Sequence, residues 1–262
     1  MKKLQFDYYM QIDYEEAVST CNYTIKCRPK ENKRQHPYDI EITISPPSKY
    51  AEGHDGIKNY QIYGRNEQPH KQFYYHITGK CDVGLCEYDE DEDDSLSMVF
   101  KHPHGLNIPG EGIRKYFDSL KFEDGMTSLM KAEYVMNRLH EDYEYRSNTT
   151  SIFTTCEEAF LQGYGVCQDF AHIYIALMHL LGIAARYVTG LIVGEGASHA
   201  WVEVLHDGKW YGFDPTNNKR VFDEHIKLGV GRDAHDCMIN RGIMHGGGLH
   251  TQKIKVNVEE IL

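Results

Sequence analysis

The chain has 262 residues, 41% of them hydrophobic and 26% charged, and a net charge of −11 at pH 7. That length supports one large domain or two small ones with a buried core, and the acidic balance argues against nucleic acid or an anionic membrane as partner. No apolar run approaches the ~20 residues of a membrane span, and the opening MKKLQFDYYMQIDYEE has no hydrophobic signal core, so the expected compartment is the cytoplasm.

Residues 1–88 read as strands. YTIKCRP, YDIEITISPP, NYQIYG and KQFYYHITGKCDV are short, rich in aromatic and β-branched residues, and mostly bounded by Gly, Pro or Asn. A small β-sandwich is the natural assignment. The acids DEDEDD, 89–94, repel one another and are expected as a solvated loop. They lack the glycine and spacing of a calcium loop and divide a β-rich region, 1–95, from a second region, 96–262. HPHGLNIPGEG, 102–112, reads as loop, with His102 and His104 part of it.

From Met126 the period lengthens. MTSLMKAEYVMNRLHEDYEY places Met126, Leu129, Met130, Val135, Met136 and Leu139 on or near one helical stripe, with Thr127 as N-cap. TTCEEAFLQGYG reads as a short helix with Thr155 and Glu158 as its capping box, broken by Gly163 and Gly165. Gln168 to Leu181 is apolar on nearly every face, so a central buried helix is expected there, ended by Gly182. His179 on it is expected as a core histidine. IAARYVTGLIV, HAWVEVLH and KWYGFD follow as strands. Near the end, His245 and His250 bracket three glycines, with no third ligand at metal-binding spacing.

Seven cysteines, an odd number without a C-x-x-C pair, speak against a disulfide framework and a cysteine zinc site. Cys167 differs from the rest in position. It falls at the first turn of the central helix, where unsatisfied N–H groups and the positive dipole end favour an anion such as a thiolate. The same amides could hold an oxyanion, and Gly163 and Gly165 would let a substrate backbone approach.

Such a nucleophile needs a base. In SHAWVEVLHDGKWYGFDPTN, Asp207-Gly208 signals a hairpin turn. That turn sets His206 opposite Lys209 and Trp201 opposite Asp214, and alternation puts His199 on the face of Trp201. His199 and Asp214 become diagonal neighbours about 7–8 Å apart at the backbone, a gap that side chains span. Asp214 would then orient the ring and steady an imidazolium. Tyr164 and Gln168 are candidate oxyanion donors between which the sequence does not choose, with Gln162 behind them. Asp169 would line the site, pair with Arg186 or cap local amides. His172 lies within a turn or so of Cys167 and would line the site. Trp201 would shield His199 or belong to the core.

GYGVCQDFAHIYIALMHLLGIAARYVTG, SHAWVEV and WYGFDPTN resemble the transglutaminase-like superfamily, in particular its bacterial members classed as cysteine proteases. The resemblance implies an α+β fold: a papain-like core, with a helix bearing the cysteine packed on an antiparallel sheet, preceded by a small β-sandwich domain. It also implies a triad in the order Cys167, His199, Asp214. Residues 225–248 look like the family's C-terminal segment and 1–88 like its β-rich N-terminal domain. Ala184, where the family usually has proline, and Cys237 depart from the pattern away from the triad.

The expected chemistry is acyl transfer at amide bonds of peptides or proteins through a thioester. Release to water makes a protease or amidase; release to a primary amine makes a protein-glutamine transglutaminase. No acceptor tunnel is legible, so hydrolysis is the expectation. No metal and no organic cofactor is implied, and nothing in the sequence sets an oligomeric state. The rival from another class is a non-catalytic peptide-binding scaffold of the same fold.

Overall fold

The computed structural model describes residues 1–90 and 94–262; residues 91–93, inside the acidic run expected as a loop, lie outside the described residues. Two antiparallel sheets organise the chain. The first is built on β1 (Lys2–Ile25), whose Leu4, Phe6, Tyr8 and Met10 alternate inward and are all buried. Beside it lie β2 (Gln35–Ser45), β3 (Lys49–His54), β4 (Tyr60–Asn66) and β5 (His70–Val83). The first half of β1 pairs with β5, from Lys2↔Val83 to Asp13↔Gln72, and its second half with β4. Phe73, Tyr75, Ile77, Cys81 and Val83 of β5 are buried in alternation. A one-residue slip would turn all five outward, and that pins the register.

The middle of the chain comprises β6 (Tyr88–Asp89), α1 (Glu111–Ser119), α2 (Ser128–Asp142), β7 (Glu144–Tyr145), α3 (Cys156–Gln162), β8 (Tyr164–Gly165) and α4 (Cys167–Leu180). Then come β9 (Ala185–Ile192), β10 (Gly194–Gly196), β11 (His199–His206), β12 (Lys209–Asp214), β13 (Lys219–Arg220), β14 (His225–Gly231), β15 (Asn240–Gly246) and β16 (His250–Ile261). The second sheet runs β13-β12-β11-β9-β14, with β6 also on β12. β10, β15 and β16 belong to the first sheet, where β16 pairs along β1 from Lys3↔Ile261 to Tyr14↔His250. Sheet membership therefore crosses the boundary drawn at residue 95: the C-terminal strands pack with the N-terminal ones.

The second sheet is the central layer. On one side α4 is buried all round, with ten successive residues, Asp169 to Met178, inside. It packs with Ala132, Val135, Met136 and Leu139 of α2 and with Val202, Val204 and Phe213 of β11 and β12. Met130, placed on the apolar stripe by periodicity, is instead 52% exposed, and Ala132 takes the inward position. On the other side Leu191, Ile226 and Leu228 share a cluster with Leu4, Phe6 and Tyr8, so the two sheets pack face to face. The Thr127 cap and the Thr155–Glu158 capping box form as their sequences require. α1 has no counterpart among the sequence elements.

Asp89, first of the six acids, is buried and ion-paired with Lys227, so the run does not begin as a solvated loop. Arg186 meets Glu203 at 2.8 Å, Lys227 meets Glu203 at 2.9 Å, and Arg34 lies 3.7 Å from the same carboxylate. Burial works against the charge on Asp89, but Lys227 and Arg186 outweigh it and hold its carboxyl below the usual range. Among the described residues no helix is long and apolar enough to cross a membrane.

Candidate active site

Cys167 is the first residue of α4, with Val166 at the N-cap. Asp169, fully buried, accepts from the Val166 N–H and from Thr150 Oγ1, each at 2.7 Å. It is therefore a cap of local amides, and its pairing with Arg186 does not occur, since Arg186 spends itself on Glu203. A Cβ at Gly165 would lie 2.5 Å from Asp169 Oδ2 and 2.6 Å from the Tyr143 hydroxyl. The glycine thus makes room for the cap; Gly163 ends α3 at φ 78°.

The Asp207-Gly208 turn has φ of 48° and 73°, both in the region a tight hairpin of this kind demands. It sets His206↔Lys209 and Val202↔Phe213, the register the turn predicts. His199 opens β11 and Asp214 closes β12, and His199 Nε2 lies 2.8 Å from Asp214 Oδ2. Cys167 acts together with Asp214 on the His199 ring, and with Nε2 given to Asp214, Nδ1 is the ring nitrogen left for a sulfur. Burial opposes a charge on His199, but its bonds to Asp214 and Cys167 outweigh burial and raise its pKa.

Asp214 is fully buried and collects donors. Asn217 donates its backbone N–H to Oδ1 at 3.1 Å and its Nδ2 to Oδ2 at 2.8 Å, and His225 Nε2 reaches Oδ2 at 3.1 Å. Against the cost of burial, the bonds from His199 and His225 hold the carboxyl well below the usual range. Burial keeps His225 itself on the neutral side of its ordinary value, so its Nε2–H is the donor. Sequence reasoning missed both partners. Asn217 carried a signal, lying three residues past Asp214 in a DPTN turn; His225 carried none, because only the pairing of β14 with β9 brings it there.

Trp201 is buried, its ring 5.1 Å from and edge-on to His225 and 6.3 Å from His199. A Cβ at Gly190 would run into that ring, so the glycine admits it. Tyr164 lies under the Arg146 guanidinium at 3.9 Å. Gln168 donates to the Ser151 carbonyl at 3.3 Å and is half-buried. His172 accepts from the Ala234 N–H at 3.1 Å and is pushed down to about 3 by burial, so it is a core residue. Tyr145 and Tyr187 also lie where the Cys167 charge, after burial, raises their pKa.

Of the seven cysteines only Cys86 and Cys167 are partly exposed. Burial pushes Cys81, Cys156 and Cys237 up to about 12. His199, Asp214 and His225 present ligand atoms within 4.8 Å of one another, but both imidazoles already spend Nε2 on the carboxylate.

Residues 120–215 match the Transglutaminase-like superfamily and residues 4–82 the Bacterial transglutaminase-like N-terminal region. The chain is similar to a solved "Putative Cysteine Protease" from Cytophaga hutchinsonii, with a TM-score of 0.77 at 20% identity over 100% of this chain and 92% of that one. It is 29% identical to an uncharacterized protein of Mycobacterium bovis, over 88% of this chain and 84% of that protein. An uncharacterized protein of Mycobacterium leprae is 35% identical over 45% of this chain and 46% of its own length. With a cysteine-bearing helix on an antiparallel sheet and a β-rich N-terminal region matched separately, the chain belongs to the transglutaminase-like superfamily.

Proposed function

We propose that the protein is a thiol acyl-transfer enzyme acting on amide bonds of peptides or proteins, with Cys167 as nucleophile, His199 as acid and base, and Asp214 orienting His199. The observation that supports this reading is His199 held at 2.8 Å by Asp214 while its charge is favoured by Cys167, a partly exposed cysteine at a helix start. The thiolate attacks the carbonyl carbon, and the first-turn amides of α4 receive the oxyanion. The imidazolium gives its proton to the departing nitrogen as the C–N bond breaks, leaving a thioester. His199 then takes a proton from water as water attacks, and a carboxylate leaves.

Mass spectrometry of the protein offered mixed peptides, with and without an added primary amine, tests this. A mass increase on Cys167 and new peptide carboxyl termini are expected. Amine-tagged products instead would assign transamidation. No adduct, with iodoacetamide reacting alike at Cys86 and Cys167, would favour a peptide-binding scaffold.

A further inference from the structure

A cavity of 270 Å³ is lined in part by the chain neighbours of the candidate nucleophile and base. One wall carries Gln168, which follows Cys167, Ser198, which precedes His199, and Tyr187 of β9. The facing wall comes from the other sheet: Tyr8 of β1 and Gln252 and Ile254 of β16. None of its thirteen described lining residues carries a formal charge, although 26% of the chain is charged. Its volume falls below the range of about 300–1,000 Å³ of whole-ligand sites, so it suits a side chain rather than a cofactor.

We infer that this cavity is a specificity subsite for an uncharged side chain, aliphatic or carboxamide, next to the amide under attack, and that the N-terminal sheet supplies its outer wall. The inference rests on the acyl-transfer reading. An ammonium or carboxylate entering it would lose its hydration and meet no opposite charge, whereas a methylene chain or a carboxamide meets apolar surface and neutral donors and acceptors.

The test measures alkylation of Cys167 by four peptidyl acyloxymethyl ketones that differ only in the residue at the reactive end, Leu, Gln, Asp or Lys, with iodoacetamide as a probe that needs no subsite. The leucine and glutamine probes are expected to react at least tenfold faster than the other two. Ile254→Glu, or Gln252→Glu at the exposed rim should the first variant misfold, is expected to raise the lysine probe and lower the leucine probe with the iodoacetamide rate unchanged. Equal rates for all four probes, with iodoacetamide still selecting Cys167, overturn the subsite and leave the enzyme reading standing. If iodoacetamide does not select Cys167, both fall.

A second observation stands apart from the first. Beside His225 lies a cavity of 10 Å³ lined in part by Arg34 and Trp201. Each of these three carries a buried polar atom without a partner: Arg34 Nε, Trp201 Nε1 and His225 Nδ1. A site for one water needs about 10–15 Å³ and two to four polar neighbours. The geometry points to His225 as a positioning residue for Asp214, its tautomer set by a water that accepts from Arg34 and Trp201 and donates to His225 Nδ1. The charged groups around it are Asp214, His199, Lys219 and Glu224, with Arg34 and Lys227 across the cavity.

The pH profile of Cys167 alkylation tests it. His225→Leu removes a donor from Asp214 and is expected to move the acid limb to higher pH by about one unit. His225→Gln, which can return an N–H, is expected to restore much of the shift. An unmoved limb in His225→Leu, or the same shift in both variants, overturns the positioning role.

Discussion

The six-stranded sheet carries two buried groups of charges, and they are built differently. β11 contributes His199 to one and Glu203 to the other; β14 contributes His225 and Lys227. In the Arg34–Glu203–Arg186–Asp89–Lys227 group every member faces opposite charge, and both acids are closed in by cations. In the other, donors converge on Asp214 while the far end is a half-exposed sulfur. Burial and ionisation are common to both, so neither marks a site. What sets the second apart is its partly exposed cysteine, on which the proposed activity rests. The closed group joins Arg34 of the N-terminal region to the central sheet and so serves architecture.

The largest contrast is expected from His199→Ala, which should slow Cys167 alkylation at pH 6 by about 10²–10⁴-fold, the range of general acid–base effects. Cys167→Ala should abolish the thioester outright and leave the urea midpoint little changed. Glu203→Ala should do the reverse. It leaves three cations short of their shared acid and should cost about 3–5 kcal/mol in urea unfolding, with the alkylation rate of the folded protein unchanged.

A smaller effect is expected in the pH dependence of stability. Asp214 is depressed in the fold, so its contribution is present above the unfolded carboxylate value and lost as pH falls through the folded one. His199 is raised, so its contribution is complete below the unfolded imidazole value and lost as pH rises through the folded one. The pair should therefore contribute fully between about pH 4 and 6.5, and Asp214→Asn should flatten the unfolding free energy on both sides of that window. The smallest effect belongs to Asp169→Asn, which weakens a helix cap and should cost about 1 kcal/mol, visible as a few degrees in Tm.

What was legible in the sequence is what local rules govern. The Asp207-Gly208 turn, two capping motifs and an apolar helix are short-range facts, and from them the His199–Asp214 approach follows by counting. What was not legible depends on pairing between distant segments. Asp89 reads as one of six acids until β6 lies on β12 and Lys227 meets it. His225 reads only as the start of the family-like C-terminal segment until β14 joins β9. The start of β1 hid in a polar opening because its buried face alternates with Lys, Gln and Asp. Gly165 was read toward substrate but serves Asp169, whose carboxylate caps the helix, one of the roles expected of it, where the missing side chain leaves it space.

The twelve matched pairs between β1 and β16 have a practical consequence. A fragment starting near residue 96 would keep the cysteine and its histidine yet strip the partner from a long strand, leaving a row of unanswered backbone donors and acceptors. Such edges recruit other copies of themselves. Excising residues 96–262 for crystallisation or screening should therefore yield aggregates, and coexpression with a separate 1–95 chain is the route by which the two pieces would reassemble.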